Sequence, residues 1–149
     1  ESGDLLTHNK DHAVLTLMEL DTVLETNFKI VHPEMTLGEM LHDSVAKSTR
    51  NIFPVVDANH TFLGIILLDD IREFMFDTKL YATTKVETFT HRAPDHIYYG
   101  VDSMQTVMQK FQDSGAWNLP VVKDGKYMGF VSKSKLLTAY RRELIRFTK

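Results

Sequence analysis

One short pattern occurs twice in this chain, in the same order and at nearly the same distance each time. Ile52-Phe53-Pro54-Val55-Val56-Asp57 returns as Asn118-Leu119-Pro120-Val121-Val122-Lys123, and from Pro54 to Pro120 is 66 positions. Leu63-Gly64-Ile65-Ile66 returns as Met128-Gly129-Phe130-Val131, with the glycines 65 apart. Thr36 and Ser103, each opening a helical pattern, lie 67 apart. A duplication of this period constrains the fold more than any other feature. A unit of roughly 60 residues buries too little surface to be comfortable alone, so two copies are expected to share a core.

Both copies show the same succession of patterns. Short strand candidates, Phe28 to Val31 and His96 to Tyr99, are rich in β-branched and aromatic residues. A hydroxyl N-cap follows, Thr36 or Ser103, and Glu39 completes a capping box in the first copy. Leu37, Met40, Leu41 and Val45 then share one helical face, as do Met104, Val107, Met108 and Phe111. Two strands and a tight loop come next, with Asp124-Gly125 giving a type I′ hairpin signal in the second copy. A second amphipathic helix closes each copy, through Ile71, Phe74 and Met75 or through Leu136, Leu137 and Tyr140.

The fold class is therefore α/β (α+β), two β-α-β-β-α units packed with pseudo-twofold symmetry. Residues 1–20 form a helical connector, 21–77 the first unit, 78–90 a linker and 91–149 the second unit with its terminal helix. The polar stretch Thr78 to Pro94 is expected as linker, with a short extended piece at Val86 to Phe89.

Composition removes several classes of function. A formal charge of −3 gives no general drive toward nucleic acid or anionic lipid. The chain has no Cys, so disulfide scaffolds, thiolate zinc sites and cysteine nucleophiles are excluded together. The longest apolar stretch, Phe62 to Leu68, is far short of a bilayer span, and the polar Glu1 to Asp11 does not resemble a signal peptide. A soluble fragment is expected. No P-loop, Gly-x-Ser-x-Gly or Gly-x-Gly-x-x-Gly occurs, so no enzyme is expected. His8 and His12 would share a helical face, but no third ligand falls at a recognisable spacing, and a solvated helix start is the reading preferred over a metal site.

The hydrophobic-x-Pro-Val-Val strand, the turn, the hydrophobic-Gly-hydrophobic-hydrophobic strand and the polar helix start together resemble the CBS (cystathionine β-synthase) domain. Two in tandem resemble a Bateman module, over about residues 21–142. The flanks Leu5 to Met18 and Ser132 to Ile145 resemble the cytosolic C-terminal region of bacterial CLC chloride channels and transporters. The resemblance implies a regulatory module at the cytoplasmic face of the inner (plasma) membrane. Its implied partners are a second copy of itself, the membrane-embedded ion transport domain of the same chain, and an adenine nucleotide (ATP, ADP or AMP). No nucleic acid is implied. A ligand-free dimerisation scaffold and an adenosyl sensor of another transporter or metabolic enzyme are the competing readings.

In such domains the strand after the Gly commonly ends in a hydroxyl residue, with an acid three residues later. The hydroxyl faces phosphate at a helix N-terminus and the carboxylate accepts from a ribose diol. Each copy here has half of that pattern: Leu67 with Asp70, and Ser132 with Lys135. The second cleft, lined by Tyr98, Leu119, Pro120 and Ser132, is the favoured ligand site. Helix capping is the competing explanation of Asp69, Asp70, Ser132 and Ser134. Candidate dimer contacts are Leu37, Met40, Leu41, Phe74 and Met75, with Met104, Met108, Phe111, Leu137 and Tyr140; some of these must instead fill the core.

Overall fold

Ile52–Val56 (β1) and Phe62–Leu67 (β2) pair antiparallel, with Pro54 opposite Ile65. Every residue of β1 is buried, which is why the strand is an unbroken apolar run rather than an alternating one. In this computed structural model, which describes residues 13–148, β1 also meets Val31 on its other side in parallel. Val31 N–H donates to the Pro54 carbonyl and Val56 N–H to the Val31 carbonyl, each at 2.9 Å. Position 54 has no N–H to carry that ladder further. The strand expected over 28–31 is accordingly a single bridge.

The described residues divide into two compact bodies. One comprises Thr26–Ala93 with the hairpin tip Asp124–Met128; the other comprises residues 13–25, 94–123 and 129–148. In the first body, Thr36 caps the helix α2 (Leu37–Met40), which runs on into a wider π turn, Leu41–Val45. The capping box is complete: Glu39 N–H donates to the Thr36 hydroxyl and Thr36 N–H to the Glu39 carboxylate. That hydrogen bonding holds the Glu39 carboxyl below its ordinary pKa. Val31, Met40, Phe53, Val55, Ile66, Ile71 and Val86 form the core, with Met35, Leu41, Val45, Leu68 and Phe89 against it. A four-residue helix, α3 (Leu68–Ile71), follows β2 directly.

The stretch expected as linker belongs to this core. Val86–Phe89 is a 3-10 turn, not an extended piece, and Val86 is fully buried. Backbone bonds from Leu37 to Thr84, Gly38 to Tyr81 and Val86 to Met35 weld the stretch to α2. Its polar groups serve turns, as where Asp77 accepts from Lys79 N–H, so no periodicity advertises it.

In the second body, residues 13–17 are helical (α1), and Val14, Met18 and Val23 are buried. The connector expected over 1–20 lies partly, and the His8–His12 pair wholly, outside the described residues. Ile97–Tyr98 (β3) runs parallel to Asn118–Lys123 (β4), with Tyr98 opposite Val122, and β4 neighbours Lys126–Ser132 (β5). Asp124 and Gly125 take φ of 51° and 78°, as the hairpin signal anticipates. Between β3 and β4 lies α4 (Met104–Ser114), capped by Ser103; α5 (Lys133–Thr148) follows β5.

The two glycines of the repeat share one cause. A chain segment crosses each of them: Glu25 pairs with Phe130, and His91 with Ile65. A Cβ on Gly129 would stand 2.4 Å from the Glu25 carbonyl oxygen, and one on Gly64 equally close to that of His91. A segment at the start of the first copy thus pairs with a strand of the second, and one at the start of the second pairs with a strand of the first.

Leu37, Met40, Met104 and Phe111, expected among dimer contacts, are buried core residues. Phe74 packs its ring 5.4 Å from that of Phe89, and Leu41 lies against the first core.

Candidate ligand-binding site

In the second body Tyr98 is 46% exposed, while Leu119 and Pro120 on the neighbouring strand are buried. Leu119 is a core residue, so of these three only the Tyr98 ring meets solvent. Its position is fixed from beneath. Tyr98 N–H donates to Asp102 Oδ2 at 2.8 Å, and Lys110 Nζ donates to the same oxygen at 2.7 Å. Lys110 also donates to the His96 carbonyl and lies 4.4 Å from the centre of the Tyr98 ring. Asp102 and Lys110 are largely buried, so the pair is well shielded and holds the Tyr98 loop to α4. The His96 ring stacks beside Tyr98 at 6.3 Å. Burial depresses the His96 pKa; Asp95 pulls it upward and Lys110 adds to the depression.

At the start of α5 the Ser132 hydroxyl accepts from Lys135 N–H at 3.1 Å, which is the capping role. Lys135 is exposed. Lys133 N–H donates to the Trp117 carbonyl, and Lys133 Nζ lies 5.2 Å from the Trp117 ring, which is 72% exposed. Tyr98 is registered on Val122 and Ser132–Lys133 on Trp117. Five positions of extended chain separate those two points, about 16 Å. The site thus has two exposed rings, each with an ammonium near its face, and Ser132 stands with the Trp117 end, apart from Tyr98.

The first body differs at the equivalent places. Asn51 takes the position of Trp117, its carbonyl accepting from Leu68 N–H as Trp117 accepts from Lys133. Leu67 stands where the hydroxyl would be and gives α3 no side-chain cap. Asp70 is half-buried in the first turn of α3, and His91 Nε2 lies 2.8 Å from its Oδ2. Asp69 is engaged separately, by Arg72.

Two features escaped the sequence reading. Nothing local in the sequence links His91 to a carboxylate twenty-one residues earlier. Asp102 and Lys110 meet across a loop and a helix, a separation with no periodic signature. Among the described residues no group of three His, Asp or Glu side chains is placed to hold a metal ion, and no helix is long and apolar enough to cross a membrane.

The model of the CBS domain family matches residues 20–77 and 92–142. No curated protein sequence matches the chain. Among solved structures, CbpB in complex with c-di-AMP is similar at a TM-score of 0.72 and 22% identity, covering 94% of this chain and 95% of that one. A CBS domain protein from Streptococcus pneumoniae TIGR4 gives 0.71 and 20%, covering 94% and 97%. The CBS domain of a bacterial CNNM/CorC family Mg2+ transporter in complex with ATP gives 0.72 and 14%, covering 95% and 98%. At these identities the likeness is one of fold. With both halves of the repeat matched, the chain belongs to the CBS domain family and carries two copies of the domain in tandem.

Proposed function

We propose that this CBS pair is the regulatory module of a membrane transport protein, that it binds an adenine nucleotide at the second copy, and that it works as a homodimer. The observation that carries the binding reading is the exposed Tyr98 ring, anchored by the Asp102–Lys110 pair, on the same body as the exposed Trp117 ring beside Lys133. Aromatic faces suit a purine, and the Lys133 ammonium beside Trp117 suits a phosphate, while Lys110 is committed to Asp102. The similar structures that hold c-di-AMP and ATP support the same ligand class. Binding biases a conformational equilibrium only through different affinity for its two states, and no chemical step is assigned.

The flanks favour a CLC-type chloride channel or transporter as the parent protein. The likeness to a CNNM/CorC transporter domain favours a second reading, in which another transporter carries the pair. Sequence upstream of Glu1 in the parent protein separates the two, since each implies its own set of apolar spans of about 20 residues.

Calorimetric titration with ATP, ADP, AMP and S-adenosylmethionine tests the binding. Heat and a rise in melting temperature are expected with at least one of them. Tyr98→Ala should weaken that binding about tenfold, in line with the loss of one stacked ring. Lys135→Asp should strengthen it by restoring an acceptor for the ribose diol. Absence of heat and of any melting shift with all four would instead support a ligand-free dimerisation scaffold.

A further inference from the structure

The first copy holds a solvent-shielded carboxylate oxygen whose close partner is a half-exposed imidazole. Asp70 Oδ2 is shut off from solvent and, among the described residues, accepts no hydrogen bond. Its close neighbour is the His91 imidazole, with Nε2 at 2.8 Å. The sheet delivers that ring. Ile65 N–H donates to the His91 carbonyl at 2.9 Å, His91 N–H donates to the Ile65 carbonyl at 2.8 Å, and Gly64 leaves room for the His91 backbone to approach.

The second copy exchanges the charges. Glu25 is bonded to Phe130 as His91 is to Ile65, at 2.8 and 2.9 Å. Five residues beyond Ile65 stands Asp70; five beyond Phe130 stands Lys135. One copy therefore has an acid on the helix and an imidazole on the crossing segment. The other has an ammonium on the helix and a carboxylate on the crossing segment.

We infer that His91 is a specificity-determining residue of the first copy: its imidazole holds the place beside Asp70 that the vicinal hydroxyls of a ribose would take, so a diol-bearing ligand binds there by displacing it. This rests on the nucleotide reading above. Displacement is feasible because the His91 side chain is 54% exposed and can turn into solvent while its backbone stays in the sheet. Half-exposed pairs of this kind are weak, so the barrier it adds is small. The hydroxyls then donate to Asp70 in place of the imidazole, with better alignment than the ring achieves.

AMP and 2′,3′-dideoxy-AMP, titrated into the whole chain and its variants, test the inference. His91→Ala should bind AMP about two- to fivefold more tightly than the wild-type chain, and His91→Gln, which keeps a polar side chain on the paired segment, should fall between them. The gain should vanish with the dideoxy probe and in the His91→Ala, Asp70→Asn double variant. Unchanged or weaker AMP affinity in both His91 variants, with wild-type binding intact, overturns the role of His91 and leaves the nucleotide reading standing. Absence of AMP binding from the wild type and both His91 variants overturns the inference, and absence of heat with ATP, ADP and S-adenosylmethionine as well overturns the nucleotide reading with it. Binding by the His91 variants alone upholds the inference.

Discussion

His96 stays neutral more readily than an imidazole in water because burial penalises its charged form. The unfolded chain takes up a proton near the ordinary value of 6.5, which the folded chain refuses until the pH is lower. Stability should therefore fall as pH drops through that value and level off once the folded imidazole is protonated too. His96→Gln is expected to flatten the melting-temperature profile between about pH 7 and pH 5, measured against the wild-type chain in the same buffers. Asp57 acts with the same sign, in a more acidic window. Thr61 N–H and Asn59 N–H hold its carboxylate below the ordinary 3.8, so its contribution is present above that value and is lost as pH falls through the folded pKa. Neither environment was legible beforehand. The residues were visible in the sequence, but partners such as Lys110 for Asp102 or His91 for Asp70 depend on which strand crosses which helix, and no fixed spacing encodes that.

Caps and turns were the most legible elements, because their chemistry is local. Thr36 with Glu39, Ser103 with Thr106 N–H, and Asp124-Gly125 at positive φ all follow from neighbours within three residues. The Ser132 cap of α5 gives the clearest measurement at this scale. Ser132→Ala should cost about 1 kcal/mol in urea unfolding by losing the bond from Lys135 N–H. If nucleotide affinity falls as well, the hydroxyl serves both the helix and the ligand; if stability alone falls, it serves the helix. The stretch 78–94 was the least legible. It contributes one fully buried side chain, Val86, and a single apolar residue among turn formers makes no pattern of period two or 3.6. The helix expected through Phe74 and Met75 is likewise cut to Leu68–Ile71, with turns beyond it.

For the whole chain, the doubled pattern gave the fold class and the two copies, since repetition is a property of sequence that survives without coordinates. Division of apolar helix residues between core and partner surface was not available from periodicity, because both demand the same spacing. With Leu37, Met40, Met104 and Phe111 committed to the interior, the half-buried Met75, Met108 and Leu137 remain for a second copy. Met108→Asp is expected to convert a sedimenting dimer to monomer without loss of the folded circular-dichroism spectrum, whereas a dimer that persists would place the interface elsewhere.

The reciprocal loan of edge strands bears on how such a chain could have arisen. A cut near residue 80 would yield a leading fragment holding Glu25 but not its pairing partner Phe130, and a trailing one holding His91 but not Ile65. Neither fragment could finish its own ladder, yet each would carry the piece the other wants. An ancestor with one copy would have met the same shortage, and two molecules swapping their leading segments would have cured it. Gene fusion would then only have made permanent a barter already under way.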